Sequence, residues 1–189
     1  MRTETFFIDT YLRPGEATHV ARKDLSKRWA DKAHDHDYFE LFLVEQGQTD
    51  HWINAVRQRL VRGHLAFVRP SDTHAFRADP KQGCRIVNVM FRVETVAHFI
   101  NRYPAEFSGR FFDHTGPLPE AHLLSDASFD LTLQLALRLM DNSLSLARVE
   151  EFLLAMANQV FSPVEVDVQR MPGWLSQACK SLRHPSVFQ

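Results

Sequence analysis

Cysteine is scarce in this 189-residue chain: Cys84 and Cys179 lie far apart and form no metal-type spacing. That usage points to a reduced, cytoplasmic protein rather than a disulfide-stapled exported one. Glycine is scarce too, with seven residues and no glycine-rich run, so no phosphate-cradling loop is present. No apolar run approaches the roughly 18 residues that a membrane span needs. The opening Met1-Arg2-Thr3-Glu4-Thr5-Phe6 lacks the basic stretch and apolar core of a secretory signal. Excess positive charge is missing as well: 22 Lys and Arg against 23 Asp and Glu give a net charge of -1, and the basic residues are scattered. A DNA-gripping surface concentrates cations to neutralise phosphates, so this chain alone is not a DNA-binding module.

What is present falls into two halves of different period. From about residue 38 to 92 the apolar pattern alternates and favours β-branched and aromatic residues. Tyr38 to Val44 reads as a strand, ended by Gln46-Gly47-Gln48. Segments 51–53 and 58–61 flank a hairpin turn at Asn54-Ala55, and strands are expected at 65–68 and 84–91. Closely spaced short strands indicate an antiparallel sandwich or barrel rather than βαβ units. Beyond Phe91 the period becomes helical. A short helix is expected over Thr95–Tyr103, halted by Pro104. A second, N-capped by Ser128, carries Leu131, Leu135 and Leu139, and a third runs from about Ser145 to Phe161. The short connection Asn142-Ser143-Leu144 makes the last two an antiparallel hairpin. Their wide apolar faces suit both a cap on the barrel and a homodimer contact. A terminal segment, Pro172–Cys179, starts a further helix that Pro185 ends, and the apolar Val187 and Phe188 at the end suggest a cut between domains.

The chemically loudest feature is His34-Asp35-His36, then Glu40, then Gly47, with His74 further on. On one extended strand His34, His36, Tyr38, Glu40 and Phe42 share a face, while Leu41 and Leu43 point the other way. Two imidazoles and a carboxylate on a buried face need a metal, a polar ligand or a hydrogen-bond network. A His-x-His pair with a carboxylate and a remote His is a valid ligand set for iron, manganese, nickel or zinc. The remaining histidines, His51 among them, show no comparable arrangement and read as surface or loop residues. Cys84 reads as a small buried apolar residue.

The run His34-x-His36-x3-Glu40-x6-Gly47 resembles the first cupin motif at every defining position. Gly63 followed eleven residues later by His74 matches the second motif's spacing, although Arg69, Ser71 and Ala78 replace its usual Pro, Gly and Asn. The resemblance implies a mainly β cupin barrel (a double-stranded β-helix, or jelly roll) followed by an α-helical hairpin. It also implies a divalent metal, Zn, Ni, Mn or Fe, on His34, His36, Glu40 and His74.

Within the cupins, His34 to Leu41 and Ile86-Val87-Asn88-Val89-Met90-Phe91 resemble the sensor domains of AraC/XylS-family transcription regulators, especially regulators of chitobiose and rhamnose utilisation. The ending resembles the linker that enters their helix-turn-helix domain. The implied layout is a cupin barrel at 1–92, whose first 30 residues are either a barrel strand or an effector-gated arm. A helical dimerisation segment follows at 93–170, and 171–189 begins the linker to a missing DNA-binding domain. The expected partner is a small effector, a sugar by pocket polarity, contacted by His34, His36, Tyr38, Glu40, Phe42, Trp52, His74 and Asn88. Arg85 has the opposite parity to Asn88, so one of the two faces inward and the other lies on the rim. A rival reading from the same four ligand-type residues is a metal-dependent cupin enzyme: a dioxygenase, isomerase or decarboxylase.

Overall fold

A computed structural model describes residues 4–25 and 32–161. The Pro172–Cys179 helix and the linker at 171–189 lie outside the described residues. Nine strands come first along the chain, apart from the last of them: β1 (Glu4–Phe6), β2 (Thr18–Asp24), β3 (His34–His36), β4 (Phe39–Ile53), β5 (Val56–Val61), β6 (His64–Val68), β7 (His74–Ala78), β8 (Cys84–Phe91) and β9 (Ala121–Leu123). The helices are α1 (Val93–Arg102), α2 (Pro104–Phe107), α3 (Asp126–Met140) and α4 (Leu146–Ala155), the last extended by one wider turn at Met156–Val160.

Strand β4 is the spine. Its first half pairs antiparallel with β6 and β8, and its second half with β5 and β7. Strands β2 and β9 extend the first sheet beyond β8 and β6, while β3 and β1 extend the second beyond β7. Two five-stranded sheets sharing one bent strand thus face each other, which is the mainly β cupin barrel with helices following it. Phe42, Val44, Ala66, Val68 and Ile86 from one sheet meet Ile53, Leu60, Phe76 and Ala78 from the other in a common interior. Alternate residues point outward: Leu41, Leu43, Val87, Val89 and Phe91 join Phe129, Leu139, Phe152 and Leu153 in a second core between the sheet and the helices. Strand alternation therefore divides one strand's side chains between two cores.

Several boundaries differ from expectation. Strand β4 does not end at Gln46-Gly47-Gln48 but continues through them, with one extra residue in the register between Val44 and Gln46. Such a bulge bends the strand and passes it from one sheet to the other. Gly47 makes the crossing possible: its φ is +70°, and a Cβ there would stand 2.1 Å from the Gly83 carbonyl oxygen. Pro104 ends α1 but also opens α2 at its first turn, where its missing N–H costs nothing. The N-cap of α3 is Ser125, whose hydroxyl accepts from the Ser128 amide at 3.2 Å, so Ser128 lies inside the helix rather than capping it. Ser145 caps α4 in the same way. Strand β9, on the edge of β6, comes from the stretch expected to be helical. At the start of the chain, β1 pairs in parallel with β3. The next turn is pinned by the Ile8 amide donating to Asp37 Oδ1 at 2.7 Å and by packing of Ile8 and Leu12 on Tyr38 and Met90.

Candidate functional site

The barrel interior opens into a cavity of about 150 Å³ lined by Phe6, Tyr11, His19, Lys23, His34, Tyr38, Glu40, Phe76, Ile86, Asn88 and Met90, with Ala21 completing the wall. Residues of one parity supply each wall. His19, Ala21 and Lys23 alternate along β2, and Ile86, Asn88 and Met90 along β8, while Val20, Val87 and Val89 between them turn into the core shared with the helices. Four of the eight residues expected at a ligand, His34, Tyr38, Glu40 and Asn88, line the cavity. Phe42 lies one layer beneath, its ring 4.9 Å from that of Phe76. Arg85 does not line the cavity and is paired with Asp24 at 2.8 Å.

Next to the cavity, which only Glu40 of the three lines, His36, Glu40 and His74 are all buried and each places one ligand-type atom within 4.8 Å of the others. His36 Nδ1 donates to the Tyr38 carbonyl oxygen at 2.7 Å, because a carbonyl can only accept. Among the described residues its Nε2 has no hydrogen-bond partner, and neither do His74 Nε2 and one Glu40 oxygen. His36 Nε2 and Glu40 Oε2 stand 3.9 Å apart, too far for a hydrogen bond. Burial sets the charge states. It pushes the Glu40 carboxyl up to about 7, although Lys23 works the other way. It also pulls His36 down to about 4 and His74 well below the usual imidazole range. Burial, followed by the nearby Glu40, raises the Tyr38 phenol as well. Orphaned electron-pair donors of this kind fit a divalent cation. His34 adjoins the three without joining them: its ring lies 4.4 Å from that of His74, but its Nδ1 donates to the Lys32 carbonyl at 3.0 Å and its ring stacks on Phe6 at 4.6 Å.

Two positions depart from the sequence reading, and the β4 bulge explains both. Before it, Glu40, Phe42 and Val44 face inward; after it, the odd residues His51 and Ile53 do. Trp52 therefore lies on the outer face, its ring within 5.8 Å of the Arg57 guanidinium and 5.4 Å of that of Arg77, away from the cavity. The correction for His51 runs the other way: it is fully buried rather than on a surface or loop, stacked on Phe76 at 4.7 Å, with Nε2 3.3 Å from His74 Nδ1. The sequence pattern does not mark the wall residues Tyr11, His19 and Lys23. Alternation along Thr18–Asp24 was the available signal, but that stretch has too few apolar residues to mark a strand.

A cupin barrel whose mostly apolar cavity holds a few convergent polar groups is a small-molecule binding module. The chain belongs to the AraC-like ligand binding domain family, whose model matches residues 14–157. Among its relatives are the HTH-type transcriptional activators RhaS of Yersinia pestis (strain Pestoides F) and Yersinia pseudotuberculosis (serotype O:1b, strain IP 31758). Each is 33% identical over 88 residues, spanning 43% of this chain and 30% of the relative. Solved structures with similar barrels include a cupin protein from Bacteroides fragilis, 14% identical with a TM-score of 0.39 over 41% of this chain and 67% of that one. Another is a Cupin 2 conserved barrel domain protein from Salinispora arenicola, 14% identical with a TM-score of 0.39 over 47% and 75%. Overlaps this low say nothing about function. The chain spans under a third of the length of the RhaS relatives it matches, and what the family match establishes is an AraC-like ligand-binding domain.

Proposed function

We propose that this domain senses a sugar or sugar derivative for an AraC-type regulator, and that sequence outside this chain grips the DNA. The cavity carries the reading. Hydroxyl-rich ligands need several donors and acceptors over an apolar floor. Glu40, Asn88, His19, His34 and Tyr11 supply the first, and Phe6, Phe76 and Met90 the second. The volume of about 150 Å³ falls below the roughly 300–1,000 Å³ of drug-sized sites, which favours a single ring. The near-neutral charge of -1 supports assigning DNA contact elsewhere.

His36, Glu40 and His74 would hold a divalent metal, which when bound supplies a Lewis-acid anchor for ligand hydroxyls. The same three residues also support a metal-dependent enzyme, the second reading. The test is calorimetric titration of the protein with a panel of monosaccharides, amino sugars and sugar acids, repeated on Asn88→Ala. Saturable binding without turnover, weakened about tenfold or more in the variant, is expected, in line with the cost of an unpaired buried polar group. Metal-dependent consumption of a panel member would instead establish the enzyme, and binding unaffected by the substitution would move the site elsewhere.

A further inference from the structure

We infer that His51 is a positioning residue: it holds His74 in the Nδ1–H tautomer, so that the Nε2 lone pair faces the centre shared with His36 and Glu40. The inference rests on the reading of that centre as a divalent-metal site.

The histidines of the barrel floor differ in how their second nitrogen is held. His34 and His36 each donate from Nδ1 to a backbone carbonyl, at 3.0 and 2.7 Å, which leaves Nε2 as the electron-pair donor. Among the described residues no carbonyl bonds to His74; the neighbour of its Nδ1 is His51 Nε2 at 3.3 Å. An imidazole can accept or donate there, so the His51 tautomer selects that of His74. If His51 accepts, His74 Nε2 is a lone pair, and with His36 Nε2 and Glu40 the centre has three electron-pair donors. If His51 donates, a proton sits on His74 Nε2 and one ligand is lost.

Packing fixes the geometry of the pair. The His51 ring lies parallel to Phe76, 17° from coplanar at 4.7 Å, and edge-on to Phe42 at 5.1 Å. It therefore meets His74 at 87°, with a nitrogen rather than a carbon towards Nδ1. In the accepting state His51 carries its own proton on Nδ1, and the Gln58 side chain, directly across the strand pair, is the polar partner on that side of the ring. Outer hydrogen-bond partners of metal-bound histidines do this: they fix ring orientation and raise ligand basicity.

The test combines imidazole 15N chemical shifts of the metal-free protein with zinc affinity from chelator competition, in wild type, His51→Phe and His51→Gln. The expected wild-type pattern for His74 is pyrrole-type Nδ1 and pyridine-type Nε2. Phenylalanine preserves the stacking but accepts nothing, so His74 should lose that pattern and zinc should bind about 10- to 100-fold more weakly. Glutamine, whose carbonyl accepts, should recover part of both. A wild-type His74 protonated on Nε2, or a folded His51→Phe that binds zinc as wild type does, overturns the inference. Should His51→Phe not fold, the wild-type tautomer decides alone. The expected tautomer in a wild type that binds no zinc would uphold the role of His51 while removing the metal site itself.

Discussion

At the scale of single residues, the site is defined by polar atoms that the fold buries and leaves unpaired. Glu40 shows the consequence for stability. Its folded carboxyl is raised to about 7 by burial, against an ordinary 4.5. A raised carboxyl costs nothing while both states are protonated. Between about pH 4.5 and 7 the unfolded chain loses its proton and the folded one keeps it, so stability falls; above 7 the loss is complete. Glu40→Gln should remove that loss. In metal-free protein it is expected to gain on the order of 2–3 kcal/mol over wild type at pH 8 and little at pH 4.5. Urea unfolding with a chelator present, at both pH values, measures the gap. A gap of equal size at the two would contradict the assignment. A bound cation would reverse the logic by holding Glu40 ionised.

At the scale of elements, two sites of left-handed backbone carry opposite demands on the residue that occupies them. Gly47 sits in the left-handed region at the β4 crossing with the Gly83 carbonyl against it, so Gly47→Ala forces both strain and a clash. The expected loss is roughly 2 kcal/mol or more. In the β4–β5 hairpin, Asn54 and Ala55 have φ of 48° and 67°, the double left-handed form of a type I′ turn. Asparagine tolerates that form; alanine does not. Ala55→Gly should stabilise by about 1 kcal/mol. Thermal melts of the two variants should therefore move in opposite directions, and a shared direction would mean these φ values are not those of the protein in solution.

At the scale of the whole molecule, the helices face two ways. Phe129, Leu135, Leu139, Phe152 and Leu153 cover the barrel's outer core, while Leu131, Leu133 and Leu154 remain half-buried and Leu144 and Leu146 are exposed. A single layer of helices with apolar residues left over is what a homodimer contact needs, and we propose that the α3–α4 hairpin supplies it. Sedimentation equilibrium should find a dimer at micromolar concentration. A monomer persisting at high micromolar concentration would refute the dimer contact. Among the described residues no helix is long and apolar enough to cross a membrane.

Much of this was legible from local pattern. The alternation of 39–44 and 84–91 set the strands, and the helical spacing of 129–139 and 146–160 set the hairpin, because each pattern has one geometry that buries it. His36, Glu40 and His74 stood out for the same reason, since such residues on an apolar face demand a partner. Tertiary structure alone decided the rest. The single extra residue near Glu45 reverses every side chain after it, and that reversal sent Trp52 outward and His51 inward. Strand pairing brought His74 and the β2 wall to residues distant in sequence. No period along the chain records a bulge or a pairing partner, because both are settled by backbone hydrogen bonds between segments.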